Sequence, residues 1–286
     1  MNAAVGIEAA RPQRVDGAAR IRFVTAPGGR TVLGDLFQRA PCRALFPCSE
    51  RGDLTQAVLL TTSGGLTGGD RIQVAVELDA DTRATVTTQA AEKIYRPLPT
   101  DEPASIQVSF TAGAGSWGEW LGQETILFAG ARVRRRFEAE VASTGRLLAV
   151  ESVVLGRIAM GERFEHGFLH DAWRIRRDKR LIWADALQLD GNIAHTCAAP
   201  FGFGTGVASA TVVYVGTDAN RYLDDVRRVL VDHRRTGTAT AFDGLLIVRL
   251  IASDVAQLRA AVISVAGEIR SRAAGLPPRL PQVWYC

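Results

Sequence analysis

The groups in this chain best suited to chemistry are spread thinly, and each grouping lacks a member that its chemistry requires. The stretch TTSGGLTGGD, residues 61–70, has the composition of a phosphate cradle. It lacks the GK[ST] that would supply a lysine and a magnesium-binding hydroxyl, and it runs into a strand-like segment instead of a helix. The spacing of Gly64, Gly65, Gly68 and Gly69 instead predicts a tight structural turn, because glycine takes positive φ at no steric cost. The loop GFGTG, residues 202–206, has no βαβ unit around it and fails as a dinucleotide fingerprint. His166 and His170 are spaced HxxxH, which on a helix would place both rings on one face. Gly167 and the strand-like neighbours oppose a helix there, and no glutamate stands where a hydrolytic site needs its base. His195 and Cys197 offer two metal ligands with nothing nearby to complete a set of four. No GxSxG nucleophile elbow is present. Cys42, Cys48, Cys197 and Cys286 contain no CxxC pair and read as reduced thiols. No enzyme class is positively supported. A β-rich hydrolase with dispersed carboxylates, the enzymatic alternative, would need its acids and bases gathered in one cleft.

The elements that position these groups are mostly strands. From Ala19 to Arg249 short segments alternate apolar and polar residues, the period of strands with one buried face. In RIQVAVELD, Ile72, Val74, Val76 and Leu78 share one face while Arg71, Gln73, Glu77 and Asp79 share the other. Similar segments lie around Ile106, Phe137, Trp173, Leu181, Ser209 and Phe242. Two segments carry helical spacing instead: Asn220 to Arg235 and Asp254 to Arg272, with Asp218 or Asn220 and Ser253 or Asp254 placed to cap them. The expected fold is mainly β: stacked multi-stranded sheets with a small C-terminal helical part of two amphipathic helices. Residues 1–18 are expected to be flexible and 19–286 to form a single domain.

The formal charge of +4 and pI of about 9.1 come from basic residues spread along the chain, so no nucleic-acid footprint is implied. The arginine runs Arg132 to Arg136 and Arg174 to Arg180 read as solvated strand faces, with an acidic protein partner as the next reading. No apolar run is long enough to span a bilayer, and the first residues have no signal-peptide pattern, so a cytoplasmic protein is expected.

The segment TTQAAEKIYRP, residues 87–97, closely resembles the "TTxxAxKxYR" signature of the UreD (UreH) family of urease accessory proteins. SGGLTGGD matches that family's glycine turn, and WGEWLGQETILFAGA and LGRIAMGERFEHG resemble its "LEWLPQETILFxxA" and "LGRxAxGExFxxG" blocks. DGLLIVRL and the closing PQVW fit its last strand and C-terminus. The chain departs from the pattern at Thr61 to Ser63, Gly122 and Gln282, which bears on local loop shape.

The resemblance implies a stack of β-sheets and a protein without turnover of its own that binds apo-urease, UreF and the GTPase UreG and assists nickel insertion. It also implies no tightly bound cofactor, with nickel at most in transit. An ion in transit needs weak oxygen and nitrogen donors, because a tight cage would retain it. Within the matched motifs Asp70, Glu92, Glu119, Gln123, Glu124 and Glu162 are candidates for lining a hydrated internal path. The competing reading is that these carboxylates pair with Lys93, Arg96 or Arg157. Lys93, Tyr95 and Arg96 are candidates for a partner interface, and the two helices either pack on the sheets or face UreF.

Overall fold

The computed structural model describes residues 14–200, 202–233 and 236–286. The chain opens with β1 (Asp16–Thr25), β2 (Thr31–Arg39), β3 (Cys42–Leu45), β4 (Thr55–Thr61), β5 (Arg71–Leu78) and β6 (Arg83–Thr88). It continues through β7 (Glu92–Ile94), β8 (Ala104–Ala112), β9 (Trp117–Leu121), β10 (Thr125–Leu127), β11 (Arg132–Val141) and β12 (Arg146–Arg157). Then come β13 (Glu162–Arg163), β14 (His166–Arg177), β15 (Arg180–Asn192), α1 (Ile193–Ala198), β16 (Ala208–Val215) and α2 (Leu223–Asp232). The last elements are β17 (Gly237–Phe242), β18 (Leu245–Ala252) and α3 (Val255–Ala274).

The strands form two sheets. One has seven strands in the order β15-β14-β11-β8-β5-β1-β2, and the other runs β17-β18-β16-β12-β9-β6-β4-β3, with β7, β10 and β13 attached beside β12. Pairing across the middle of both sheets is parallel: β1 with β5, β5 with β8, β8 with β11 and β11 with β14 in the first, and β4, β6, β9 and β12 in the second. Parallel neighbours need a long crossover, which is usually a helix. Here the crossover is a strand of the facing sheet: the chain passes from β5 to β6, then β8, β9, β11 and β12, changing sheet at each step.

The layering explains the sequence pattern. One core lies between the sheets, where Ile21, Val74, Phe110, Phe137 and Trp173 of the first meet Ala57, Val86, Trp120, Leu147 and Val213 of the second. The first sheet leaves its outer face to solvent, so its strands alternate; β5 reads exposed at Arg71, Gln73 and Glu77 and buried at Ile72, Val74, Val76 and Leu78. Burying each such side chain contributes about 1.5–3 kcal/mol. The second sheet is covered on both faces, and its strands β12, β16 and β18 are near-continuous apolar runs. A second core joins Leu148, Val150, Val212, Leu246 and Val248 of that sheet to Val226 and Leu230 of α2 and to Leu258, Val262, Val265 and Ile269 of α3. The apolar stripes of both helices are therefore spent on the sheet.

Several expectations shift in detail. The fold begins at Asp16, where β1 pairs with β5, so residues 16–18 belong to the sheet; residues 1–13 of the expected flexible segment lie outside the described residues. The first predicted helix starts as a 3-10 turn, Ala219–Tyr222, before α2. Asp218 makes no capping bond there and instead accepts from the hydroxyls of Tyr214 and Tyr222 at 2.7 and 2.8 Å. Asp254 does cap α3, accepting from the amide of Gln257 at 2.8 Å.

Candidate functional site

A cavity of about 250 Å³ lies between the two sheets. Its outer end is built by β4, the glycine turn and β7 (Thr61, Ser63, Gly64, Gly65, Glu92), and its inner end by Arg135, Glu151 and Asp171. Apolar side chains such as Ile72, Val74, Ile106 and Val108 line the walls between.

At the outer end the half-buried Glu92 accepts from the hydroxyl of Thr61 at 3.0 Å and from the amide of Lys93 at 3.2 Å. Burial pushes its carboxyl above the usual carboxylate range against those two bonds. Cys42 lines the same end, and burial, reinforced by the charge of Glu92, pushes its thiol up to about 11. The hydroxyl of Ser63 is buried and finds no hydrogen-bond partner among the described residues. A buried polar atom on a cavity wall is satisfied by water.

At the inner end Arg135 is 4% exposed. Its guanidinium donates to Asp171 at 2.6 and 3.2 Å, to the hydroxyl of Thr125 at 2.7 Å and to the carbonyl of Ser152 at 3.0 Å, and lies 3.0 Å from Glu151. Glu151 also accepts from the Trp120 indole at 2.7 Å. Burial acts against both charges: it lifts the Glu151 carboxyl, which Arg135 only partly offsets, while Asp171 and Glu151 hold Arg135 more firmly protonated than a free guanidinium. The arginine run of β11 is thus not wholly a solvated face. Arg132, Arg134 and Arg136 point outward, whereas Arg135 sits at an inward position between Val133 and Phe137.

Of the proposed path residues, Glu92 and Gln123 line this cavity and the other four do not. Asp70 closes the glycine turn, accepting from the amides of Val15 and Thr67 at 2.8 and 2.7 Å. Glu119 is fully buried on the helix side and accepts from Arg270 and Trp117 at 2.9 Å and Thr85 at 2.6 Å. Glu124 is bound by Arg259 at 2.7 and 2.9 Å, and Gln123 by Arg259 at 3.0 Å. Glu162 sits on the surface hairpin β12–β13, bonded to Arg157 and to the amide of Ala129. For Glu119 and Glu124 the cation is supplied by α3, not by Lys93, Arg96 or Arg157. Sequence reasoning missed Arg135, Glu151 and Asp171, though each breaks an inward or apolar run of its strand.

Of the four glycines of the turn, Gly64 and Gly68 do not take positive φ. Gly65 and Gly69 take φ of 138° and 77°, and a Cβ on Gly65 would lie 2.5 Å from the Tyr95 ring. Lys93 and Arg96 are exposed, and Tyr95 donates its hydroxyl to the carbonyl of Gly64 at 3.0 Å. His166 and His170 lie on strand β14, His195 is exposed on α1 and Cys197 is buried. Among the described residues no three His, Cys, Asp or Glu side chains are grouped to hold one metal ion. No helix among them is long and apolar enough to cross a membrane.

Two stacked sheets, a helical cover on one of them and a cavity between them, with polar groups set into apolar walls, make up the body of the chain. The family described as UreD urease accessory protein matches residues 15–285. A urease accessory protein UreD of Rhizobium rhizogenes is 40% identical over 280 residues, covering 98% of each chain. Those of Granulibacter bethesdensis and Magnetococcus marinus are 42% identical over 84% of this chain and 99% of the relative, and 35% identical over 95% and 94%. The chain belongs to the UreD family of urease accessory proteins, which places it in urease maturation.

Proposed function

We propose that the protein is a non-enzymatic scaffold of urease maturation, working in the cytoplasm, that binds apo-urease, UreF and UreG and assists nickel insertion. The observation that carries this reading, beyond family membership, is the cavity between the sheets, which sets oxygen-bearing side chains into an otherwise apolar wall. Nickel(II) is the cargo, and no resident site is needed for it. Glu92, Thr61 and Ser63 at the outer end and Glu151 and Asp171 at the inner end offer oxygen donors in succession. Such donors bind the ion weakly enough to release it.

In this reading Glu92 is the entry group, since burial raises its carboxyl pKa and an arriving cation, by compensating the buried charge, favours the ionised form. Arg135 balances Glu151 and Asp171 when no ion is present. Asp70, Glu119, Glu124 and Glu162 act through structure, holding the turn, the helix α3 and the hairpin.

The test is urease activation in cells carrying the full urease gene set, with this gene deleted and restored, and nickel measured in the purified urease. Inactive, nickel-poor urease on deletion, recovered on restoration, supports the scaffold. Unchanged nickel and activity would remove it.

A further inference from the structure

The end of the molecule where β7, β10 and the β12–β13 hairpin meet carries an exposed apolar ridge. Tyr95 stacks edge-on against Phe128 with ring centroids 4.8 Å apart, and the Arg157 guanidinium covers Phe128 at 4.2 Å. The hairpin tip that follows Arg157 leaves Ile158 36% and Met160 75% exposed. Neither side chain of the tip is buried, so nothing within the fold uses them.

Beside the ridge lies an open cleft of about 690 Å³ whose rim carries Arg96, Arg132, Arg163 and His166 together with Glu165 and Asp190. Among the described residues none of these three arginines forms an ion pair. The cleft opens onto the outer face of β11, where Arg134 and Arg136 continue the line of Arg132. The guanidinium groups of Arg132 and Arg134 lie over Phe168 at 5.9 and 5.2 Å, so they are held in place without a carboxylate partner.

We infer that this ridge and cleft form the docking surface for an acidic protein segment that also presents apolar side chains. The inference rests on the scaffold reading, and names the chemistry of one partner. Unpaired arginines beside tyrosine and methionine are the composition of an interface centre, where guanidinium groups pair with incoming carboxylates and the apolar ridge is removed from water. A nucleic acid fits less well. A phosphate backbone would engage the arginines but leave the apolar Ile158–Met160 tip uncovered.

The experiment uses the full chain and three protein probes taken separately, urease apoprotein, UreF and UreG, with an RNA duplex and a DNA duplex as further probes. Two variants are compared with the parent, the triple Arg96→Glu, Arg132→Glu, Arg163→Glu and the single Met160→Asp. All four positions are exposed, so circular dichroism and melting are expected to be unchanged. The charge reversal is expected to weaken binding to one of the three by about tenfold or more. That partner's affinity for the parent falls as salt is raised, and much of this salt dependence disappears in the triple variant. Met160→Asp weakens the same partner. Affinities for all three protein probes within twofold of the parent's in folded variants would overturn the docking surface, as would a loss confined to duplex RNA or DNA. A parent chain that binds none of the three also overturns it. The deletion experiment separates the two readings: nickel-poor urease on deletion with unaltered variant binding refutes the surface alone, whereas unaltered urease refutes the scaffold on which it rests.

Discussion

Glu92 shows how a single residue can be read in sequence as a candidate and still need the fold to give it a chemistry. Its place in the AEKIYRP segment marks it, but only the cavity wall explains why burial lifts its carboxyl above the usual range. For an acid with a raised folded pKa, the folded state binds the proton more tightly than the unfolded chain. The stability it contributes is therefore full below the unfolded pKa and is lost as pH rises through the folded pKa. Glu92→Gln, which cannot ionise, is expected to melt higher than the parent at pH 8 and to lose that advantage at pH 4. Equal shifts at both pH values would show that burial is not what sets this group. Arg135, Glu151 and Asp171 were as legible in principle, because strand parity turns Arg135 inward and Glu151 interrupts the run LLAVESVVL. What the sequence alone does not contain is register: Arg135 stands opposite Asp171 only because β11 and β14 pair in parallel at that position.

At the scale of elements, the alternating strands and the long second helix could be read directly, since period-2 and period-3.6 burial leave different marks. The parallel pairing could not, because it depends on strands that are distant in the chain and on crossovers that are themselves strands. The same distance hid the bond between α3 and the second sheet. Arg270, fully buried, donates to Glu119 at 2.9 Å and to Asp53 at 2.6 Å. Burial opposes its charge, and the two carboxylates outweigh that effect. Removing the cation alone leaves the buried carboxyl groups of Glu119 and Asp53 without the partner they share. Arg270→Met is expected to cost about 3–5 kcal/mol of folding stability. Adding Glu119→Gln, which keeps a carbonyl oxygen for Trp117 to donate to and offers an NH2 whose hydrogen bond the Thr85 hydroxyl can accept, is expected to return part of the loss. A urea-unfolding double-mutant cycle measures this, and additive losses would show that the pair is not coupled.

For the whole molecule, the two cores have different roles. The core against α2 and α3 is closed by apolar packing and by the Arg270 and Arg259 bonds, and the buried stripes of both helices face the sheet. The core between the sheets is interrupted by the cavity, although filling that space with side chains would have been the more stable packing. The proposed nickel route needs such an opening between the sheets. The passage can be narrowed without touching any polar donor. Val108, 5% exposed on β8, lines the cavity wall together with Glu92 and Arg135, and Val108→Phe would project a ring into the open space. If nickel traverses the cavity, the variant remains folded and binds its partners as the parent does, while the urease matured with it holds less nickel. The control is Val76→Phe, at a buried position of the same core that does not line the cavity, 1% exposed on β5. It is expected to lower the melting temperature by overpacking without lowering the nickel content of urease per folded complex. Full nickel loading with Val108→Phe in a folded complex would mean that the cavity is not the route, and the cargo would then have to be sought along the outer surface of the assembly.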